Sequence, residues 1–134
     1  MDIDLHAAKR VAHYFTANVE KTDYVPLCDF RSPKEPVVYD TTAGSIALCG
    51  LLAIANEVGE YEKDIYRDAA IRILKALADR HGNFDNETDG IICYGSTAYH
   101  DVPTGRHVPI IYGDYFFIEG ILQLMNKDHK IWGL

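Results

Sequence analysis

The chain lacks the features that mark several large functional classes. It has no run of Lys and Arg, and its 13 basic against 20 acidic residues leave a formal net charge of −7. That balance repels polyanions and anionic lipid, so nucleic acid is excluded as an expected partner. Cysteine is sparse: Cys28, Cys49 and Cys93 are odd in number and show no CxxC spacing. A disulfide framework or zinc site is therefore not expected, and the three read as reduced thiols. His6 and His13 share a helix face by spacing, but without a cysteine or acidic partner set they read as solvent-facing, and neither metal nor cofactor is expected. The opening MDIDLHAAKR carries two acids and no following apolar core, unlike a signal peptide or a membrane anchor. The expectation is a cytoplasmic protein without a membrane partner.

What is present fits one domain spanning residues 1–134. A chain of 134 residues, 48% apolar and 25% charged, has globular composition and enough length to bury a core. Asp4 can cap a first helix in which Leu5, Ala8, Val11, Ala12, Phe15 and Val19 recur at three- and four-residue spacing. Next comes KTDYVPLCDFRSPKEPVVYD, whose Pro26, Pro33 and Pro36 forbid regular helix and predict an extended crossing. Asp40 or Thr41 can cap a second helix reaching Asn56, rich in Ala, Gly and Ser and apolar on all faces. Gly59 closes it, and 61–79 predicts a third helix with one apolar stripe: Ile65, Tyr66, Ala69, Ala70, Ile73, Leu74 and Leu77.

The segment VPIIYGDYFFIEGILQLM, 108–125, is apolar on nearly every side from Tyr115 onward, which predicts a buried fourth helix. Gly113 would bend the chain into it and Asp114 would cap it. The order is then half-wet, buried, half-wet, buried, as in layered helical hairpins. A faint repeat agrees: Ala7, Ala8, Arg10 and Val11 match Ala69, Ala70, Arg72 and Ile73, while Gly50, Leu51 and Leu52 match Gly120, Ile121 and Leu122. Strand patterning competes only at GIICYG, which would form a short hairpin with HVPIIY. The fold class read from the chain is all-α.

Four blocks in order, CDF, DTTAGSIALCGLL, GIICYGSTAYH and IYGDYFFIEGILQL, resemble the C-terminal part of glycoside hydrolase family 88, the unsaturated glucuronyl hydrolases. The last block is the most specific. The resemblance implies an α/α toroid of six hairpins, of which this chain supplies roughly the final third. It also implies hydrolysis of oligosaccharides ending in a 4,5-unsaturated uronic acid. In that family an aspartate acts as general acid and base to hydrate the vinyl ether, and the hemiketal then opens; no metal or cofactor takes part. Such chemistry differs from hydrolysis by two carboxylates across the glycosidic bond. Unsaturated rhamnogalacturonyl hydrolases share the architecture and are the near alternative. A non-catalytic remnant or helical interaction module, with its inner helices against an apolar partner, is the alternative of another class.

By the same resemblance the catalytic aspartate lies upstream of this stretch. Asp29, Asp40 and Asp114 have plainer roles, Asp29 as a loop acceptor and the other two as caps. Tyr99 and His100 match the Tyr-His pair that ends the family's third block. Tyr99 is expected to stack on a sugar face and His100 to bond a hydroxyl or carboxylate. Ser96 stands in the same loop as a further binding residue. Arg106, beside His107, could meet an anionic substrate through a bidentate fork. Two departures stand out: Cys28 replaces the family's Trp, and GSTAYH has one residue more than the family pattern. His100 stands where a lysine would favour sulfated substrates, which leaves sulfate preference open. Expected partners are an unsaturated uronyl oligosaccharide and either the N-terminal remainder or a second copy.

Overall fold

A computed structural model describes residues 4–85, 88–100 and 103–127. Among these, the architecture is helical: α1 (Leu5–Val19), α2 (Thr41–Glu57), α3 (Glu60–His81) and α4 (Ile111–Leu124), with single 3-10 turns at Glu20–Thr22 and Pro103–Gly105. No strand forms among the described residues. The expected hairpin of GIICYG is reduced to isolated bridges, Gly82 with Ile92 and Gly95 with Val108.

α1 starts where Asp4 places its carboxylate, accepting the N–H of His6 at 3.0 Å and of Ala7 at 3.3 Å. This satisfies donors that a first helical turn leaves open. Its stripe is narrower than the periodicity implied. Ala12 and Val19 are buried, whereas Val11 is 69% exposed. His13 is exposed but not free, because its Nε2 lies 2.9 Å from the Tyr66 hydroxyl and the two rings stack at 5.7 Å. That contact corrects the reading of His13 as merely solvent-facing.

α2 is the central element, with α3, α4 and α1 all packed on it. Asp40 caps it as expected, accepting the Thr42 N–H at 3.1 Å. Nine of its residues are buried, Leu48, Leu51, Leu52 and Ala55 among them. Its small residues admit neighbours: a Cβ on Gly44 would sit 3.2 Å from both Leu77 and Pro26. From α3 comes one face, with Tyr66, Ala69, Ala70, Ile73 and Leu77 buried. Ile65, assigned to that stripe by spacing, is 58% exposed.

α4 departs most from expectation. It begins at Ile111, capped by no side chain, so Gly113 and Asp114 lie within its first turn. Gly113 is not a bend; it lets the helix approach α2, since a Cβ there would lie 3.1 Å from Thr42 Oγ1. Nor is α4 buried on every side. Only Gly113, Phe117 and Gly120 are buried, while Ile111, Tyr112, Ile118 and Met125 are exposed. The hydrophobic pattern reports what the helix can bury, and here α2 is the helix that chiefly covers it.

The crossing from residue 23 to residue 40 holds no helix, as its prolines require, but it is not the extended run expected: turns and bends occupy much of it, and Asp23 and Tyr24 adopt left-handed backbone. Cys28 N–H bonds the Val38 carbonyl at 2.8 Å and Asp40 N–H bonds that of Pro26 at 2.9 Å, folding the crossing back on itself. No described helix is long and apolar enough to cross a membrane.

Candidate substrate groove

The crossing, the 94–108 loop and α1 enclose a groove of about 610 Å³. Tyr99 and His100 line it on the loop side, Cys28, Asp29 and Phe30 on the crossing side, and Tyr14 and Phe15 from α1. Two of the four sequence blocks, CDF and the end of GSTAYH, are thus brought together although some seventy residues separate them. With Cys28 in place of a tryptophan, the aromatic surface comes from elsewhere. Phe30 packs edge-on against Phe15 at 5.3 Å and Tyr14 at 6.2 Å.

Tyr99 and His100 meet edge to face at 5.0 Å. The Arg106 guanidinium lies over the Tyr99 ring, 5.7 Å from its centroid, a cation–π distance. Arg106 Nε is buried and has no hydrogen-bond partner among the described residues. A buried guanidinium donor without an acceptor is costly unless a ligand supplies one. Tyr99 and His100 therefore form one wall, with Arg106 packed on the Tyr99 ring but not itself lining the groove.

Ser96 does not share that wall. It is 5% exposed, and its hydroxyl donates to the Tyr39 carbonyl at 2.7 Å while accepting the His107 N–H at 3.1 Å. Its own N–H bonds Asp40 Oδ1 at 3.2 Å. These bonds tie the loop to the crossing and to the start of α2. His107, expected as a partner for anions, turns inward: its Nε2 accepts the Tyr39 N–H at 3.0 Å. An acceptor nitrogen carries no proton, so this imidazole is neutral. Burial and then the adjacent Arg106 lower its pKa below the ordinary 6.5.

Around His107 lies a cluster that no local pattern in the chain foretells. Tyr94 stacks on His107 at 4.5 Å, His81 at the end of α3 meets Tyr94 at 4.7 Å, and Tyr39 lies 6.1 Å from His107. His81 is likewise held below its usual range, first by burial and then by Arg80 and His107. Tyr94 and His107 both adopt left-handed backbone, φ +67° and +53°. Each costs a non-glycine residue about 1–2 kcal/mol, which the packing around them must offset.

Each of the three acids holds backbone N–H groups. Asp29 Oδ1 accepts the Arg31 N–H at 2.8 Å, the loop role expected of it. Asp114 Oδ1 accepts the N–H groups of Ile91 and Ile92, both at 2.9 Å. It holds a neighbouring segment rather than capping its own helix. Burial raises the pKa of Asp40, and the bonds from Ser96, Thr42 and Ala43 pull it back. Among the described residues no three His, Cys, Asp or Glu side chains converge as metal ligands. All three cysteines are free.

Layered helical hairpins with a groove built from their connecting loops define a segment of an α/α toroid, and the fold is shared with solved members of that class. The chain is 39% identical over 135 residues to the unsaturated glucuronyl hydrolase of Bacillus sp. strain GL1, covering 96% of this chain and 34% of that protein. The crystal structure of that enzyme, responsible for the degradation of glycosaminoglycan, matches with a TM-score of 0.77 over 90% of this chain and 32% of its own. A structure of UGL with dGlcA-Glc-Rha-Glc gives a TM-score of 0.78 at 37% identity, again over 90% and 32%. The unsaturated chondroitin disaccharide hydrolase of Streptococcus pneumoniae is 29% identical over 132 residues, 92% of this chain and 32% of that protein. No family model matches the chain. The likeness to the unsaturated glucuronyl hydrolases holds in both sequence and fold, and the chain spans about a third of the length of the curated relatives it matches.

Proposed function

We propose that the chain supplies the C-terminal portion of an unsaturated uronyl hydrolase. The substrate is an oligosaccharide ending in a 4,5-unsaturated uronic acid. The observation that carries this reading is the groove, in which Tyr99 and His100 face Cys28, Asp29 and Phe30. The same residues occupy the blocks that resemble the hydrolase family. Tyr99 offers a face for a sugar ring, His100 a hydrogen bond, and Arg106 a cation with a buried, unpartnered Nε for the uronate carboxylate. Ser96 acts one step back, holding the loop.

The reaction adds a proton to one carbon of the uronate double bond and the hydroxyl of water to the other. The resulting hemiketal opens and releases the next sugar. The proton donor, an aspartate, is assigned to the remainder of the enzyme. In support, the carboxylates of Asp29, Asp40 and Asp114 are each engaged by backbone N–H groups of the surrounding loops and helix start.

Hydration removes the double bond, so the ultraviolet absorbance of an unsaturated uronyl disaccharide reports turnover. With the chain alone the absorbance is expected to persist; with the N-terminal remainder of a related hydrolase added it is expected to fall. Loss of absorbance with the chain alone would overturn the assignment of the acid to the remainder. Persistence with both pieces, shown to associate, would overturn the enzymatic reading. The exposed apolar face of α4 favours a second reading, a helical module that docks on an apolar partner.

A further inference from the structure

The loop that carries Tyr99, His100 and Arg106 is pinned at both ends, and the two ends meet. Gly95 and Val108 exchange N–H bonds at 2.8 Å in each direction, and Ser96 and His107 are joined by the bond to the Ser96 hydroxyl. Two side chains reach from this closed base to Tyr39 on the far side of the groove: the Ser96 hydroxyl donates to the Tyr39 carbonyl, and His107 Nε2 accepts the Tyr39 N–H. Tyr39 belongs to the same crossing as Cys28, Asp29 and Phe30, and Leu27 bridges it directly. The imidazole thus links the two walls.

We infer that His107 is a positioning residue that, beside the Ser96 bond to the Tyr39 carbonyl, sets the spacing of the groove walls through its neutral Nε2, and that its protonation loosens them. The inference rests on the groove being the substrate site, but the link itself is testable without substrate. Protonation turns the acceptor into a donor that faces another donor, the Tyr39 N–H, so the bond cannot survive it. The groups around the ring favour the neutral form. Burial and the adjacent Arg106 act on His107 directly, and His81 and Arg80 at the end of α3 add no carboxylate to oppose them; the Tyr39 and Tyr94 rings only pack against the imidazole. The nearest carboxylate in this network, Asp40, is turned to the Ser96 and Thr42 amides.

The sign follows from the lowered pKa. Above about pH 6.5, the ordinary imidazole value, His107 is neutral whether the chain is folded or not, and the link is intact. As pH falls below that value the unfolded chain takes up a proton first, so the contribution to stability declines. It is exhausted once the pH passes the folded-state value.

The experiment uses the isotopically labelled chain and reads the Tyr39 amide and the Tyr99 ring by NMR. In His107→Gln the side-chain carbonyl replaces Nε2 as an acceptor that does not titrate; His107→Phe keeps a ring to stack and removes the acceptor. At pH 7.5 the Tyr39 amide in His107→Phe is expected to exchange about tenfold faster, the equivalent of one hydrogen bond. His107→Gln should match the parent there and keep its protection as the pH is lowered below 6.5, through the range in which the parent loses it. Tyr99 ring resonances should move in His107→Phe and stay in His107→Gln. Unchanged Tyr39 protection in His107→Phe would overturn the link. Lost protection with an unmoved Tyr99 ring would overturn the positioning role. Failure of the hydrolase reading would show instead as absent turnover with both walls correctly linked.

Discussion

The Asp114 carboxylate accepts two backbone N–H groups from one oxygen, those of Ile91 and Ile92. Ile92 is 1% exposed, so its amide has no access to water if the carboxylate is removed. Asp114→Ala should therefore cost about 1–3 kcal/mol for each donor left without a partner in a buried setting. Asp114→Asn, which retains one carbonyl oxygen, should cost less. Urea unfolding of the two variants checks the order, and equal losses would show that the acceptor is not what matters. The role was only partly legible in advance. An acid at the start of an apolar run reads as a cap, since capping needs only local sequence. Here the donors come from a segment more than twenty residues earlier in the chain, a contact that local sequence cannot reveal. The same limit explains Ser96 and His107. Both were visible as polar loop residues, but the bonds that turn them inward, to Tyr39, span 57 and 68 residues of chain.

At the level of elements, periodicity located every described helix because the chain alternates between one-sided and all-round apolar patterns. What it missed is which apolar positions are covered. Val11 and Ile65 keep the correct spacing yet face outward, since spacing fixes a face and not the presence of a neighbour. The α2–α4 contact shows the opposite case, a packing requirement carried by one small residue. A Cβ on Gly120 would lie 2.5 Å from Leu48 Cδ2 and 2.6 Å from Cγ, whereas a Cβ on Gly50 meets nothing within 4 Å. Gly120→Ala must push α4 away from α2 or force Leu48 from its rotamer, and should destabilise by about 1–3 kcal/mol. Gly50→Ala has only the helix propensity gain and should stabilise by about 0.5–1 kcal/mol. These two positions match in the faint internal repeat, so thermal unfolding of the pair separates packing from propensity at equivalent sites. A gain at Gly120 would contradict the close approach, and a loss at Gly50 would contradict the propensity argument. The groove itself was legible only through resemblance, because nothing local in CDF or GSTAYH indicates that the two meet.

For the molecule as a whole, the exposed side of α4 sets the strongest expectation. Ile111 is 73% exposed, Tyr112 66% and Met125 51%, with Ile118 between them at 40%. Apolar surface gathered on one element favours association, and a net charge of −7 opposes it only by long-range repulsion that salt screens. The relatives are about three times as long as the stretch they share with this chain, and in a toroid neighbouring hairpins pack side by side. The chain alone is therefore expected to self-associate as its concentration rises, more so at high salt, when followed by sedimentation velocity. Ile118→Glu, placed in the middle of that face and outside the buried α2 contact, should return it to a monomer with unchanged helix content. Adding the remainder of a related hydrolase should compete with self-association for the parent chain and fail to do so for Ile118→Glu. If the parent stays monomeric at every concentration and salt, the α4 face is not a docking surface.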